Sequence, residues 1–338
     1  MSAWQRQLVT YHPVIGWWWI ANLRAMIQQG GGPYLLTTNS IGMRSSREYS
    51  TKKPNDRRRF LLLGDSYSAG TGVNNGDRFS DQLEKSTPNL DIMNFGLAAS
   101  GTDQQVLVYE AIAKFFEADG YIFAPCTTNI LRNQLDVFPI REHRTGGVWY
   151  RPKPYFTLDA EGLILHNQPV PNELLPEEDG ASRVRSRPGV KLAPSWEFGA
   201  TPSRLRHNSL ANRLYLSLAQ TYTGFQSAQS HAWLLMRRII ERFLQQVKGK
   251  PTFIVPLPTY QHFMTNLSPS YITRFSELDD PSARRYVLDV LPSFKRLPTN
   301  DRKECYFEED LHYTAVGHQV VSECIFDALK RFCPEVLG

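Results

Sequence analysis

Arg59-Phe60-Leu61-Leu62-Leu63-Gly64 runs straight into Asp65-Ser66-Tyr67-Ser68-Ala69-Gly70-Thr71-Gly72-Val73. A short apolar run closed by glycine, without polar alternation, is the pattern of a strand buried on both faces. The glycine-rich segment after it reads as a strand-to-helix turn. The pattern recurs at Leu90 to Gly96 (LDIMNFG), which leads into Thr102 to Phe116, where Val106, Tyr109, Ile112, Ala113 and Phe116 fall on one helix face. Gly120 to Pro125 (GYIFAP) is a third such run. Strand, helix, strand, helix, strand in that order predicts a parallel sheet covered by helices on both faces.

Farther along, Leu205 to Val247 is helix-compatible, Thr252 to Leu257 (TFIVPL) and Tyr286 to Leu291 (YVLDVL) read as strands, and Thr314 to Phe332 as a closing amphipathic helix. Residues 134–204 are rich in proline, glycine and charge and lack a helical period, so they read as an insertion beside the site, a lid or a substrate wall. Within it, YFTL and LILHN flank Asp159-Ala160-Glu161-Gly162 between Pro154 and Pro171, which predicts a β-hairpin. The domain reading is an N-terminal segment, 1–58, packed on a main domain, 59–338. Val14 to Ile20 holds Trp17, Trp18 and Trp19, but Asn22 and Arg24 cut the apolar run too short for a membrane span or signal peptide.

The bulk composition narrows the function. Of 338 residues, 41% are hydrophobic and 21% charged, the balance of an ordinary globular protein. A net charge of +5 arises from 38 basic and 33 acidic residues interspersed along the chain, with only short runs such as Arg57-Arg58-Arg59. Such a pattern carries no stripe for nucleic acid. Cys126, Cys305, Cys324 and Cys333 are scattered, without metal-ligand spacing, which predicts free thiols in a reducing, cytoplasmic setting. Cys126 reads as a packing residue. The glycines Gly70, Gly72 and Gly76 miss the dinucleotide spacing and no phosphate-loop lysine follows, so no nucleotide cofactor is expected.

At the carboxyl end of a parallel strand, Ser66 would face the ligand crevice. A serine hydroxyl needs a base, and Glu309-Asp310-Leu311-His312, just before the last helix, offers a histidine of near-neutral pKa together with carboxylates. A carboxylate would hold the imidazole tautomer and stabilise its cation. His318, six residues on, reads as structural, and the spacing of His312, His318 and Asp310 fits no standard metal site.

The run GDSYSAGTGV resembles the first block of the SGNH (GDSL-like) hydrolases, in which the GDS serine is the nucleophile. Asn94-Phe95-Gly96-Leu97-Ala98-Ala99-Ser100-Gly101 stands where the second block is expected, and the resemblance assigns the Gly96 N–H to an oxyanion hole with that of Ser66. In the third block, Thr127-Thr128-Asn129-Ile130-Leu131-Arg132-Asn133 departs from the family's Asn-Asp pair. Asn129 is the favoured third donor, with Thr128 taking its place if the loop keeps the family register. Asp-x-x-His spacing would select Glu309, whereas the Asp-x-His variant, seen in alginate-type O-acetyltransferases, selects Asp310, the favoured partner of His312.

The likeness extends from Thr38-Asn39-Ser40-Ile41-Gly42-Met43-Arg44 through Lys153-Pro154-Tyr155-Phe156 to residue 332. It implies an α/β, three-layer flavodoxin-like parallel sheet with an inserted loop or β-hairpin. It also implies a serine hydrolase that cleaves a carboxylic ester, O-acetyl esters included, through an acyl-enzyme on Ser66, without cofactor or metal. Its substrate would be a small-molecule or carbohydrate ester. The same residues suit an O-acyltransferase acting on a sugar or natural-product hydroxyl, and a third reading is an inactive binding protein of this fold.

Overall fold

The structure, a computed structural model, describes residues 8–29, 31–141, 147–185, 223–264 and 270–337. The chain opens with two antiparallel hairpins, β1 (Val9–His12) with β2 (Gly16–Trp19) and β3 (Arg24–Gln29) with β4 (Gly32–Thr37). The central sheet is built from β5 (Arg58–Gly64), β6 (Leu90–Asn94), β7 (Gly120–Ala124) and two strands from the far end of the chain. Between β7 and those two lie β8 (Val137–Arg141), β9 (Val148–Pro152), β10 (Tyr155–Leu158), β11 (Leu163–His166) and β12 (Leu175–Pro176). The sheet is completed by β13 (Thr252–Ile254) and β14 (Arg285–Val287).

Its order is β6-β5-β7-β13-β14, every neighbouring pair parallel. Counted along the chain, that is the 2-1-3-4-5 order of flavodoxin-like sheets, in which the chain changes direction of travel between the first and third strands. Ligand crevices open at the carboxyl ends of those two strands. Here they are β5 and β7, with Gly64 paired to Ala124, so the loops beginning at Asp65 and Pro125 leave the sheet side by side.

Alternation along the buried strands divides the core. Leu61 and Leu63 join a cluster with helix residues Val106 and Leu107, Ile239 and Phe243, and with Trp17, Trp18 and Trp19. Phe60 and Leu62 belong to the opposite cluster with Phe79, Leu83, Phe294, Val321 and Ile325. The helices concerned here and at the site are α1 (Ser66–Ala69), α2 (Phe79–Ser86), α3 (Thr102–Ala111), α4 (Asn129–Arg132), α5 (His231–Gln246), α6 (Leu291–Arg296) and α7 (Ala315–Phe332). A β-layer with α3 and α5 on one face and α2, α6 and α7 on the other is the expected three-layer architecture.

Some boundaries move for local reasons. The expected helix to Phe116 stops at Ala111, because Ile112 leaves helical geometry (φ −132°, ψ −59°) and a 3₁₀ turn, Ala113–Phe115, follows. The strand expected over 286–291 closes at Val287, and Leu291-Pro292 starts α6, with proline where its missing N–H costs nothing. The predicted hairpin is β10–β11, with Tyr155 opposite His166. Three antiparallel strands not foreseen in the insertion, ordered β12-β9-β8, stand beside it. The parts of the lid and of the long helix expected over 186–222 lie outside the described residues.

Candidate active site

Ser66 is the first residue of α1. Asp65 caps that helix, its Oδ1 accepting the Tyr67 N–H at 3.0 Å, as an aspartate at this position does. Glycine is required where the turn begins, at Gly64, and where the loop after β6 packs against it, at Gly96. A Cβ on Gly64 would lie 2.0 Å from Ser68 Oγ, and one on Gly96 would lie 2.5 Å from the Ala69 nitrogen. Beyond α1 the loop is braced by Arg44, which is 1% exposed and donates to the carbonyls of Ala69 (2.6 Å), Gly70 (2.5 Å) and Val73. Burial, with Arg78 nearby, brings the Arg44 pKa down to about 9.

His312 arrives from the loop before α7, and its Nε2 stands 2.9 Å from Ser66 Oγ. The loop is closed by Phe307, whose N–H donates to the His312 carbonyl (2.9 Å) and whose carbonyl accepts the Leu311 N–H (2.8 Å). Tyr67, the neighbour of Ser66, donates its hydroxyl to the Leu311 carbonyl at 3.1 Å and packs its ring 4.9 Å from that of His312. Leu311 holds φ at +66°, a left-handed conformation that side chains avoid, so the surrounding contacts must enforce it.

The turn brings Asp310 under His312. Asp310 Oδ1 accepts the His312 N–H at 3.1 Å, and Oδ2 lies 3.5 Å from Nδ1. That second contact is long for a hydrogen bond, yet neither buried atom has another partner among the described residues. Burial pushes the Asp310 carboxyl up, but the hydrogen bonds and charge of His312 outweigh it and hold the pKa below the ordinary carboxylate value. Glu309 is exposed. His318 is buried inside α7, its Nδ1 accepting the Phe79 N–H at 3.2 Å and its pKa driven down to about 3 by burial. It links α7 to α2 as a neutral ring.

The expected oxyanion donors differ in how far their hydrogens are already engaged. The Gly96 N–H donates to Asn94 Oδ1 at 2.9 Å. Asn129 is fully buried, its amide donating to Asp65 Oδ2 (2.9 Å) and to the Ser100 carbonyl (3.3 Å) while its Oδ1 accepts from Gln105 (2.9 Å). An amide has two hydrogens, and both are committed. Thr128, in contrast, directs its hydroxyl only to Cys126 Sγ at 3.2 Å, a weak acceptor, and is 4% exposed. The Ser66 N–H, first in its helix, has no intrahelical acceptor.

Two site residues were missed in the sequence. Arg132 Nη1 donates to Asp65 Oδ2 (3.2 Å) and to the Ser100 carbonyl (3.1 Å), holding the first and third loops together. Lys153, at the entry to β10, forms a fully buried ion pair with Asp103 of α3 and donates to the carbonyls of Arg132 (3.3 Å) and Leu135 (3.1 Å). The insertion is thereby anchored to the loops around Ser66. Among the described residues no group of three histidine, cysteine or acidic side chains could hold a metal ion, and no helix is long and apolar enough to cross a membrane.

Solved structures with a similar course of chain include a lipolytic protein of the G-D-S-L family from Veillonella parvula. It is 10% identical, with a TM-score of 0.43 over 81% of this chain and 99% of that one. The lipase/acylhydrolase from Enterococcus faecalis is 11% identical, with a TM-score of 0.40 over 81% of this chain and 96% of its own. A lipase from a goat rumen metagenome is 11% identical, with a TM-score of 0.41 over 80% and 97% of the two chains. No protein-family model matches the chain, and no curated protein does.

Proposed function

We propose that the chain is a carboxylic ester hydrolase of the SGNH kind, in which Ser66 is the nucleophile, His312 its base and Asp310 the carboxylate that orients His312. The observation that carries this reading is the 2.9 Å contact between Ser66 Oγ and His312 Nε2, between residues 246 apart in the chain. Ser66 Oγ attacks the ester carbonyl while His312 takes its proton, and the resulting imidazolium is stabilised by Asp310. The Ser66 N–H and the Thr128 hydroxyl hold the developing oxyanion. His312 returns the proton to the departing alcohol, leaving an acyl group on Ser66, and water activated by His312 releases the acid. Cys126 is not a rival nucleophile, since burial lifts its thiol pKa to about 12 and keeps it protonated.

The test is a fluorophosphonate probe followed by peptide mapping. Labelling is expected on Ser66 alone, with Ser66→Ala unlabelled and inactive toward chromogenic esters. An active preparation that resists the probe, or labelling that persists in Ser66→Ala, would remove the serine mechanism.

A further inference from the structure

The first hairpin and β9 enclose a pocket of about 230 Å³ that is separate from the Ser66 site and is lined by Val9, Thr10, Arg151, Pro171, Asn172 and Leu174 among others. Arg151 is its singular feature. The guanidinium lies 5.2 Å from the centre of the Trp17 ring, which is 2% exposed, and it has no hydrogen bond or ion pair among the described residues. Other arginines withdrawn from solvent have acceptors: Arg44 the loop carbonyls, Arg59 the Ser50 carbonyl, Arg78 the Asp81 carboxylate and Arg132 that of Asp65. Burial alone sets the Arg151 pKa, down to about 10, with no carboxylate to raise it.

A partly desolvated cation without an anion is costly to fold, and the cost is recovered when a ligand brings the anion. A planar guanidinium fixed against an indole presents its fork to a carboxylate in bidentate geometry. Among the described residues no acidic side chain lines the pocket. Thr10 and Asn172 add neutral hydrogen-bonding groups, while Val9, Pro171 and Leu174 supply an apolar wall that suits a compact hydrocarbon body.

We propose that this pocket binds a small organic acid, with its carboxylate on Arg151 and its apolar part against Val9 and Leu174. The site is independent of ester cleavage at Ser66, so each can fail without the other. Isothermal titration of the full chain with isobutyrate tests it, using isobutyramide as the neutral isostere and inorganic phosphate as a tetrahedral anion. Isobutyrate is expected to bind at one site at least tenfold more tightly than either control. Affinity should be retained in Ser66→Ala, fall at least tenfold in Arg151→Gln, and fall several-fold in Arg151→Lys, which keeps the charge but loses the fork. Ester hydrolysis by both Arg151 variants should match the wild type. Leu174→Trp, which fills the pocket and leaves the cation in place, should abolish binding even if Arg151→Gln does not fold. No binding of isobutyrate, equal binding of isobutyramide, tighter binding of phosphate, loss of binding in Ser66→Ala, or undiminished binding in Arg151→Gln or Leu174→Trp would each overturn the proposal.

Discussion

Two carboxylates flank the approach to His312, and the left-handed turn at Leu311 brings one of them beside its ring. It places Asp310 3.5 Å from Nδ1 and leaves Glu309 exposed. Asp310→Asn should therefore lower kcat/KM on an activated ester by several orders of magnitude with circular dichroism unchanged, while Glu309→Gln stays within a few-fold of wild type. The reverse pattern would transfer the role to Glu309. The proposed oxyanion site rests in the same way on which hydrogens remain to be given. Thr128→Val is expected to reduce kcat about 10²- to 10³-fold, the usual cost of one such donor, with KM little changed. A variant with undiminished kcat would exclude the Thr128 hydroxyl. Asn129 illustrates why this was not legible beforehand. Its residue type suits an oxyanion donor, and only the positions of Asp65, Ser100 and Gln105 reveal that its amide is fully engaged.

Among the elements, legibility followed the range of the interaction. The strands β5, β6 and β7 are local apolar runs, and Ser66 and His312 each sit in a short motif at a strand or helix end, so all could be read in place. The hairpin β3–β4 could not, because RAMIQQ mixes polar and apolar residues and owes its form to pairing with GPYLLT. Lys153 lies 50 residues from Asp103, and no local pattern announces their pairing. This buried pair is what turns the insertion from an appended loop into a brace for the Arg132 segment. Lys153→Met leaves an uncompensated carboxylate in the interior and should cost about 3–5 kcal/mol of stability in urea unfolding. Removing the charge as well, in Lys153→Met with Asp103→Asn, should recover part of that loss. A double variant no more stable than Lys153→Met would mean that the charge of Asp103 is not what Lys153 offsets.

On the scale of the molecule, the parallel order of the five strands follows from the alternation of buried strands and helices, but the place of the first 58 residues does not follow from any period in them. Their three tryptophans answer the question. Trp17 and Trp19 donate their indole N–H groups to the carbonyls of Ala98 (3.1 Å) and Gly96 (2.9 Å), and Trp18 to that of Ile41 (2.8 Å). All three are buried in the cluster that contains Leu61, Leu63 and α5. An indole buries about 150–250 Å² of surface, so this hairpin contributes a substantial share of one face of the core. A segment joined in that way should open only when the sheet opens. Native-state hydrogen exchange is therefore expected to give the amides of β2 opening free energies within about 1 kcal/mol of those in β5, both near the global value. Exchange of the β2 amides orders of magnitude faster than that of Leu61–Leu63 would make the N-terminal segment a separately unfolding unit. In that case the support it lends to the Gly96 loop would be lost before the sheet itself comes apart.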